Sequence, residues 1–234
     1  MKRCHLLIVF LLLVSLCQAL DAADTPEATE QYKYALGLIQ RQMYEEASVV
    51  LQRVLSDAEP FSKRDAAMYW FAECHYRLGR FNEAIGAYQK MRQEFPASTM
   101  ADRAAYGLGW AHARNNDPKS AVEAFNRVTP ADGKLWIDAR LKMGLLMVKF
   151  NMDAETTAKV YEQLLSRKDL TDAQRFEALF QAGVLRFNQT SYQTAVGHFT
   201  DALAKAPAEQ LTSVLFFLAE SHFRQRAYKD ASSY

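Results

Sequence analysis

Three histidines recur at one register of this 234-residue chain: His75, His112 and His222. Imidazoles in series could hold a metal ion. Ligand nitrogens, however, must come within about 2.1 Å of one zinc, and neighbouring helices pack roughly 8–10 Å apart. No Cys pair and no His-x-x-x-His on one stretch completes a shell. The three are therefore read as packing residues, and no metal site is expected. Cys74 would need a lowered pKa in an electropositive setting to act as a nucleophile. Only sequence-adjacent His75 stands beside it, so a small buried residue is expected there. The glycines are scattered singly and form neither a phosphate-cradling loop nor a dinucleotide fingerprint. Glu45, Glu46 and Glu83 fall where helices would begin, and a carboxylate there complements the positive end of the helix dipole. Asn188-Gln-Thr190 is a glycosylation sequon with meaning only in a eukaryote. No catalytic set and no cofactor motif emerges, and the chain is read as a non-enzyme.

Composition narrows the class. There is room for one large domain or two small ones. Half the residues are hydrophobic and 24% are charged, an ordinary globular balance. Nine glycines and six prolines are too few for an all-β fold built on many tight turns. Twenty-eight basic residues against 27 acidic ones give +1, which argues against a nucleic-acid partner. Three cysteines make no disulfide framework.

The first 22 residues form an expected signal peptide. Lys2 and Arg3 precede an uncharged apolar run from Leu6 to Leu16, and small residues follow, so cleavage fits best after Ala19 and next after Ala22. A run of 11 residues is short of the roughly 20 a spanning helix needs. A permanent anchor and lipidation of Cys17 are the alternatives. Bulky Leu16 just before Cys17 misfits the lipoprotein pattern. The mature chain would have zero net charge, one cysteine (Cys74) and no stable membrane insertion.

An internal repeat fills the rest. Arg41–Ala47, Gly79–Ala84, Asp117–Ala121, Ser191–Ala195 and Ala227–Ala231 align without gaps. Their closing alanines, at 47, 84, 121, 195 and 231, are spaced by 37, 37, 74 and 36. The double gap predicts one more unit centred near Ala158. Each unit is two amphipathic helical patterns. Around the second, Met68, Phe71, Ala72 and His75 make one stripe, Gly79 breaks it, and Phe81, Ala84, Ile85, Tyr88 and Met91 make another before Pro96. Neither stripe can bury itself alone, so the pairs must stack.

This pattern resembles the tetratricopeptide repeat (TPR). Phe71, Ala72, Gly79, Phe81, Ala84, Tyr88 and Pro96 match its motif in the second unit. Leu108, Gly109, Ala121 and Phe125 match in the third, with Asn116 and Pro118 replacing its Gly and aromatic. Gly183, Tyr192, Ala195, Phe199, Ala202 and Pro207 match in the fifth, and Ala35, Tyr44, Ala47 and Leu51 in the first. The fourth (Gly144, Tyr161, Leu164) is irregular, with 151–157 out of register. The period of 36–37 exceeds the family's usual length of about 34. With the leader, this is similar to exported bacterial cell-envelope TPR proteins, such as those of the Tol–Pal system and of outer-membrane barrel assembly.

The resemblance implies an all-α, right-handed superhelical solenoid of about five and a half helix–turn–helix repeats over 27–234. The sixth unit stops without a polar closing helix, which leads us to expect a truncated chain. By the family's pattern, the first helix of each pair lines a concave groove. Its inward residues would be Tyr69, Glu73, Tyr76 and Arg77, then Tyr106, Trp110 and Arg114, then Phe180 and Phe187, then Phe216, Glu220, Phe223 and Arg224. Aromatics and arginines are the types enriched at binding hot spots. The implied function is a non-catalytic scaffold that holds a partner peptide or domain of another envelope protein, in the periplasm or at the outer membrane. The alternative is the N-terminal docking half of a longer enzyme or peptidoglycan-binding protein.

Overall fold

The computed structural model describes residues 24–57 and 61–234. The leader, with Cys17, lies outside the described residues. The described residues form twelve α-helices: α1 (Pro26–Gln40), α2 (Tyr44–Ser56), α3 (Arg64–Arg77), α4 (Phe81–Glu94), α5 (Ala101–Arg114), α6 (Pro118–Asn126), α7 (Gly133–Lys149), α8 (Ala154–Leu165), α9 (Asp172–Asn188), α10 (Tyr192–Leu203), α11 (Leu211–Arg224) and α12 (Tyr228–Ala231). A short 3-10 turn, Ala208–Gln210, precedes α11. No strand occurs among the described residues.

Odd-numbered helices open each repeat and even-numbered ones close it. One residue between them adopts the left-handed conformation: Gln42, Gly79, Asn116, Asn151, Thr190 and Arg226, with φ between 48° and 75°. The residue after it donates its N–H to the carbonyl five positions back, at 2.9–3.0 Å: Met43 to Leu38, Arg80 to His75, Asp117 to His112, Met152 to Met147, Ser191 to Arg186 and Ala227 to His222. These are six Schellman turns of one geometry, each satisfying carbonyls that a helix end would leave bare. Only Gly79 has no side-chain penalty for that conformation. The histidine register noted above is the position whose carbonyl accepts the hydrogen bond of this turn.

A second periodic set fills the interior. Ala47, Leu51 and Val54 face inward from α2, and the same spacing gives Ala84, Tyr88 and Met91; Ala121, Phe125 and Val128; Thr157, Tyr161 and Leu164; Ala195, Phe199 and Ala202. Every one of these is at most 4% exposed. The fourth triplet corrects the sequence reading. Thr157, not Ala158, occupies the small-residue slot: the turn residue Asn151 follows Asn116 by 35 positions, two short of the 37-residue period, and one extra residue before the helix start at Ala154 restores only one of them. Thr157 tolerates burial by donating its hydroxyl to the Asp153 carbonyl at 2.6 Å. In three repeats the large ring of the triplet lies against glycine backbone. A Cβ on Gly109, Gly144 or Gly183 would meet Phe125, Tyr161 or Phe199 at 2.7, 2.7 and 2.5 Å.

The chain divides into two compact units, one ending at Ala104 and one running from Ala105 to Tyr234. In the first, α1 through α4 pack in succession over Tyr32, Leu38, Leu51, Val54, Phe61 and Cys74. In the second, consecutive helices from α6 to α11 pack on one another. First helices of successive repeats also touch, α7 with α9 and α9 with α11.

Candidate binding face

The left-handed residue gives each repeat a common origin. The expected groove residues stand ten, six, three and two positions before it: Tyr69, Glu73, Tyr76 and Arg77 before Gly79, and Phe216, Glu220, Phe223 and Arg224 before Arg226. Offsets that recur on helices ending in the same turn fall on the same helical face.

In the first unit the four residues on α3 form one cluster. The Tyr69 ring lies edge-on to Trp70 at 5.2 Å and tilted over Tyr88 at 6.2 Å. Tyr88 donates its hydroxyl to Glu73 Oε1. The other Glu73 oxygen, Oε2, is 3.9 Å from Arg77 Nε. Tyr76 packs against Phe81 at 5.8 Å. Burial raises the hydroxyl pKa of both Tyr69 and Tyr88 above the usual tyrosine value, and the Glu73 carboxylate adds to this. Both therefore stay protonated. The result is a half-buried carboxylate held by a phenol, beside an exposed guanidinium and flanked by rings. Such a surface suits charge-assisted hydrogen bonds and ring stacking with a peptide, not proton transfer.

The second unit uses the same register differently. Tyr106 and Trp110 both lie edge-on to buried Phe125, at 5.5 and 5.9 Å, and Lys142 stands 5.9 Å over the Trp110 ring. Arg114 is exposed. Phe180 and Phe187 are half-buried against Phe217 at 5.6 and 5.5 Å. Phe216 and Phe223 are open, at 61% and 54% exposure. Arg224 pairs with Glu220 at 2.7 Å. The face is thus solvent-facing in some repeats and used for repeat packing in others.

Cys74 and the three recurring histidines are buried or half-buried. Cys74 is buried, and burial pushes its thiol up to about 12. His75 lies edge-on to Phe71 at 4.5 Å, and its Nδ1 has no hydrogen-bond partner. His112 Nδ1 is 3.4 Å from Asp117 Oδ2 without hydrogen-bond alignment. His222 stacks on Tyr234 at 5.7 Å. Among the described residues no three His, Cys, Asp or Glu side chains gather as a metal site would require.

Comparison with known proteins agrees with the helical register. Residues 40–101 match the family of anaphase-promoting complex (cyclosome) subunit 3, and residues 100–134 match the tetratricopeptide repeat. No curated protein sequence matches. A tetratricopeptide repeat protein from Parabacteroides merdae superposes with a TM-score of 0.66 at 12% identity, over 88% of this chain and 76% of that one. MamA superposes at 0.62 and 20% identity, over 80% and 94%. YrrB, described as a TPR protein with an unusual peptide-binding site, superposes at 0.62 and 16% identity, over 85% and 94%.

The chain has the tetratricopeptide-repeat fold.

TPR register also exposes what sequence reading missed. Tyr88 lies in the interior, as its stripe predicts, and there its hydroxyl also holds the half-buried Glu73 carboxylate. Phe217 went unnoticed between Phe216 and Leu218, and it is the ring that closes the face of the fifth TPR. Tyr228, on the closing helix of the sixth, has an exposed ring that extends its face. The signal for all three was their offset from the turn, which hydrophobic periodicity alone does not reveal.

Proposed function

We propose that this protein is a non-catalytic interaction scaffold that binds another polypeptide on the first-helix faces of its TPR units. One observation carries the reading: Tyr69, Glu73, Tyr76 and Arg77 form a single ordered cluster with a guanidinium at its rim. YrrB, a fold relative with a peptide-binding site, supports it by likeness. Zero net charge in the mature chain supports recognition by local pairing and ring burial rather than by a long-range field.

The setting we propose is the cell envelope, reached by export. Residues 1–22 support this with their basic start, apolar middle and small-residue end. No helix of the described residues is long and apolar enough to cross a membrane. Mass measurement of the protein from its native source should find a mature chain starting at Leu20 or Ala23. An intact Met1 or an acylated Cys17 would contradict this.

The scaffold itself is tested by Tyr76→Ala/Arg77→Glu. The double variant should keep its far-UV circular dichroism and lose the proteins that co-purify with wild type. Unchanged co-purification would remove this face from consideration.

A further inference from the structure

Two successive first helices of the second unit carry no carboxylate along the halves that lead into their turns. No acidic residue lies between Asp102 and Asp117, on α5, or between Asp138 and Asp153, on α7. Trp110 and Leu145 occupy the place that Glu73 and Glu220 hold in the second and sixth repeats, six positions before the left-handed residue. Cations remain. Lys142 and Lys149 are seven positions apart on α7, with Leu145 and Leu146 between them at i+3 and i+4, so the four share one helical face. On α5, Trp110 and Arg114 are four apart and share a face as well. Lys142 Nζ lies 5.9 Å over the Trp110 ring, which joins the two helices into one surface. Lys149 Nζ lies 5.5 Å from the centre of the Phe150 ring. Both ammonium groups thus lie over rings, and among the described residues neither forms an ion pair. Trp110, Lys142 and both leucines are half-buried, and Arg114 and Lys149 are exposed.

We propose that this surface docks an acidic amphipathic helix of a partner protein. Two carboxylates of that helix, seven positions apart, meet Lys142 and Lys149. Apolar side chains between them cover Leu145, Leu146 and Trp110. This deepens, and rests on, the scaffold reading above. Charge sets the sign of the partner, because cations on a carboxylate-free apolar surface gain charge-assisted hydrogen bonds that a neutral partner cannot give. Spacing sets its form. At 1.5 Å per residue, Lys142 and Lys149 are about 10.5 Å apart along α7, and a helix laid alongside repeats that separation with its own i and i+7 residues. In an extended strand the residues of one face stand about 7 or 13 Å apart, and residues about 10 Å apart point to opposite faces.

A second copy of this chain is the wrong occupant. Among the described helices one acidic pair is seven positions apart, Glu155 and Glu162 on α8. Between them stand Ala158 and Lys159, which would set an ammonium group against the two leucines. Glu155 is moreover held by Lys159 at 2.8 Å.

The probe is a displayed library of alanine-based helical peptides, randomised at positions i, i+3, i+4 and i+7 and selected on the full chain. Wild type should enrich Asp or Glu at i and i+7 and large apolar residues at i+3 and i+4. Lys142→Glu/Lys149→Glu should instead enrich Lys or Arg at i and i+7. The best wild-type peptide, titrated calorimetrically, should bind about tenfold more weakly to Lys149→Glu and to Trp110→Ala. Lys149 is exposed, so its single variant should stay helical. Tyr76→Ala/Arg77→Glu should leave peptide affinity unchanged. No enrichment by wild type, enrichment without acidic residues, or the same sequences from the charge-reversed chain would overturn the proposal. A failed library with partner loss still seen in Tyr76→Ala/Arg77→Glu would remove the α5–α7 surface and leave the scaffold standing.

Discussion

Single residues in the left-handed turns carry a measurable share of stability. A Cβ on Gly79 would meet no atom within 4 Å, so Gly79→Ala isolates the backbone penalty. It should lower unfolding free energy by about 1 kcal/mol. Thr190 has the same conformation with a β-branched side chain. Thr190→Gly should raise stability by about 0.5–1 kcal/mol, and urea titration of both variants reads the two signs against each other. A loss on Thr190→Gly would mean that its side chain contributes more than its backbone costs. Gly79 was legible in the sequence because glycine after an amphipathic stripe is a familiar stop signal. Asn116 and Asn151 carry a weaker form of that signal, whereas Gln42, Thr190 and Arg226 carry none, and only the recurrence of the following alanines marks their places.

At the scale of the helical hairpin, ring-on-glycine packing and buried histidines set the behaviour. Gly183→Ala would press a methyl group into Phe199, which is fully buried and already flanked by Phe180 and Phe217. It should cost about 1–3 kcal/mol by overpacking, and a wild-type melting temperature would refute that geometry. Burial is the first cause lowering the pKa of His75, His112 and His198, opposed by Glu83 and Glu45 at His75, Asp117 and Glu123 at His112, and Asp201 at His198. The unfolded chain then binds protons that the folded chain refuses, starting near the free-histidine value of about 6.5. Stability should be complete above that value and fall as the pH drops through it. The urea midpoint at pH 5.5 should lie below that at pH 7.5, and His75→Phe should narrow the gap. A higher midpoint at pH 5.5 would show the opposite linkage.

Hairpins were largely readable beforehand, because one period places both stripes. The fourth repeat slipped, since its turn residue comes two positions early and one extra residue restores only one, which leaves Thr157 in the place assigned to Ala158. Trp110 and Tyr106 show a deeper limit. Residues that line a helix face and residues that pack between helices recur at the same spacing. Only contact with Phe125 reveals how these two are held.

For the whole molecule, periodic stacking explains how so few glycines and no disulfide framework suffice. Each hairpin contributes a small sealed core, and the first-helix face is left to vary. That face is closed by rings in the fifth repeat, ordered around Glu73 in the second and open at the sixth. Nothing in composition separates the closed face from the ordered one: Phe217 of the following first helix closes the fifth, and Tyr88 of the same repeat orders the second. Partners are expected to meet the first helices. The most direct test is site-specific photo-crosslinking in the native cell, with the reactive group placed at Arg77 or Phe223 on first helices and at exposed Lys90 or Asp201 on second helices. A discrete partner adduct is expected from positions 77 and 223 and none from 90 or 201. Adducts from 90 or 201 alone would place recognition on the opposite helices and contradict it.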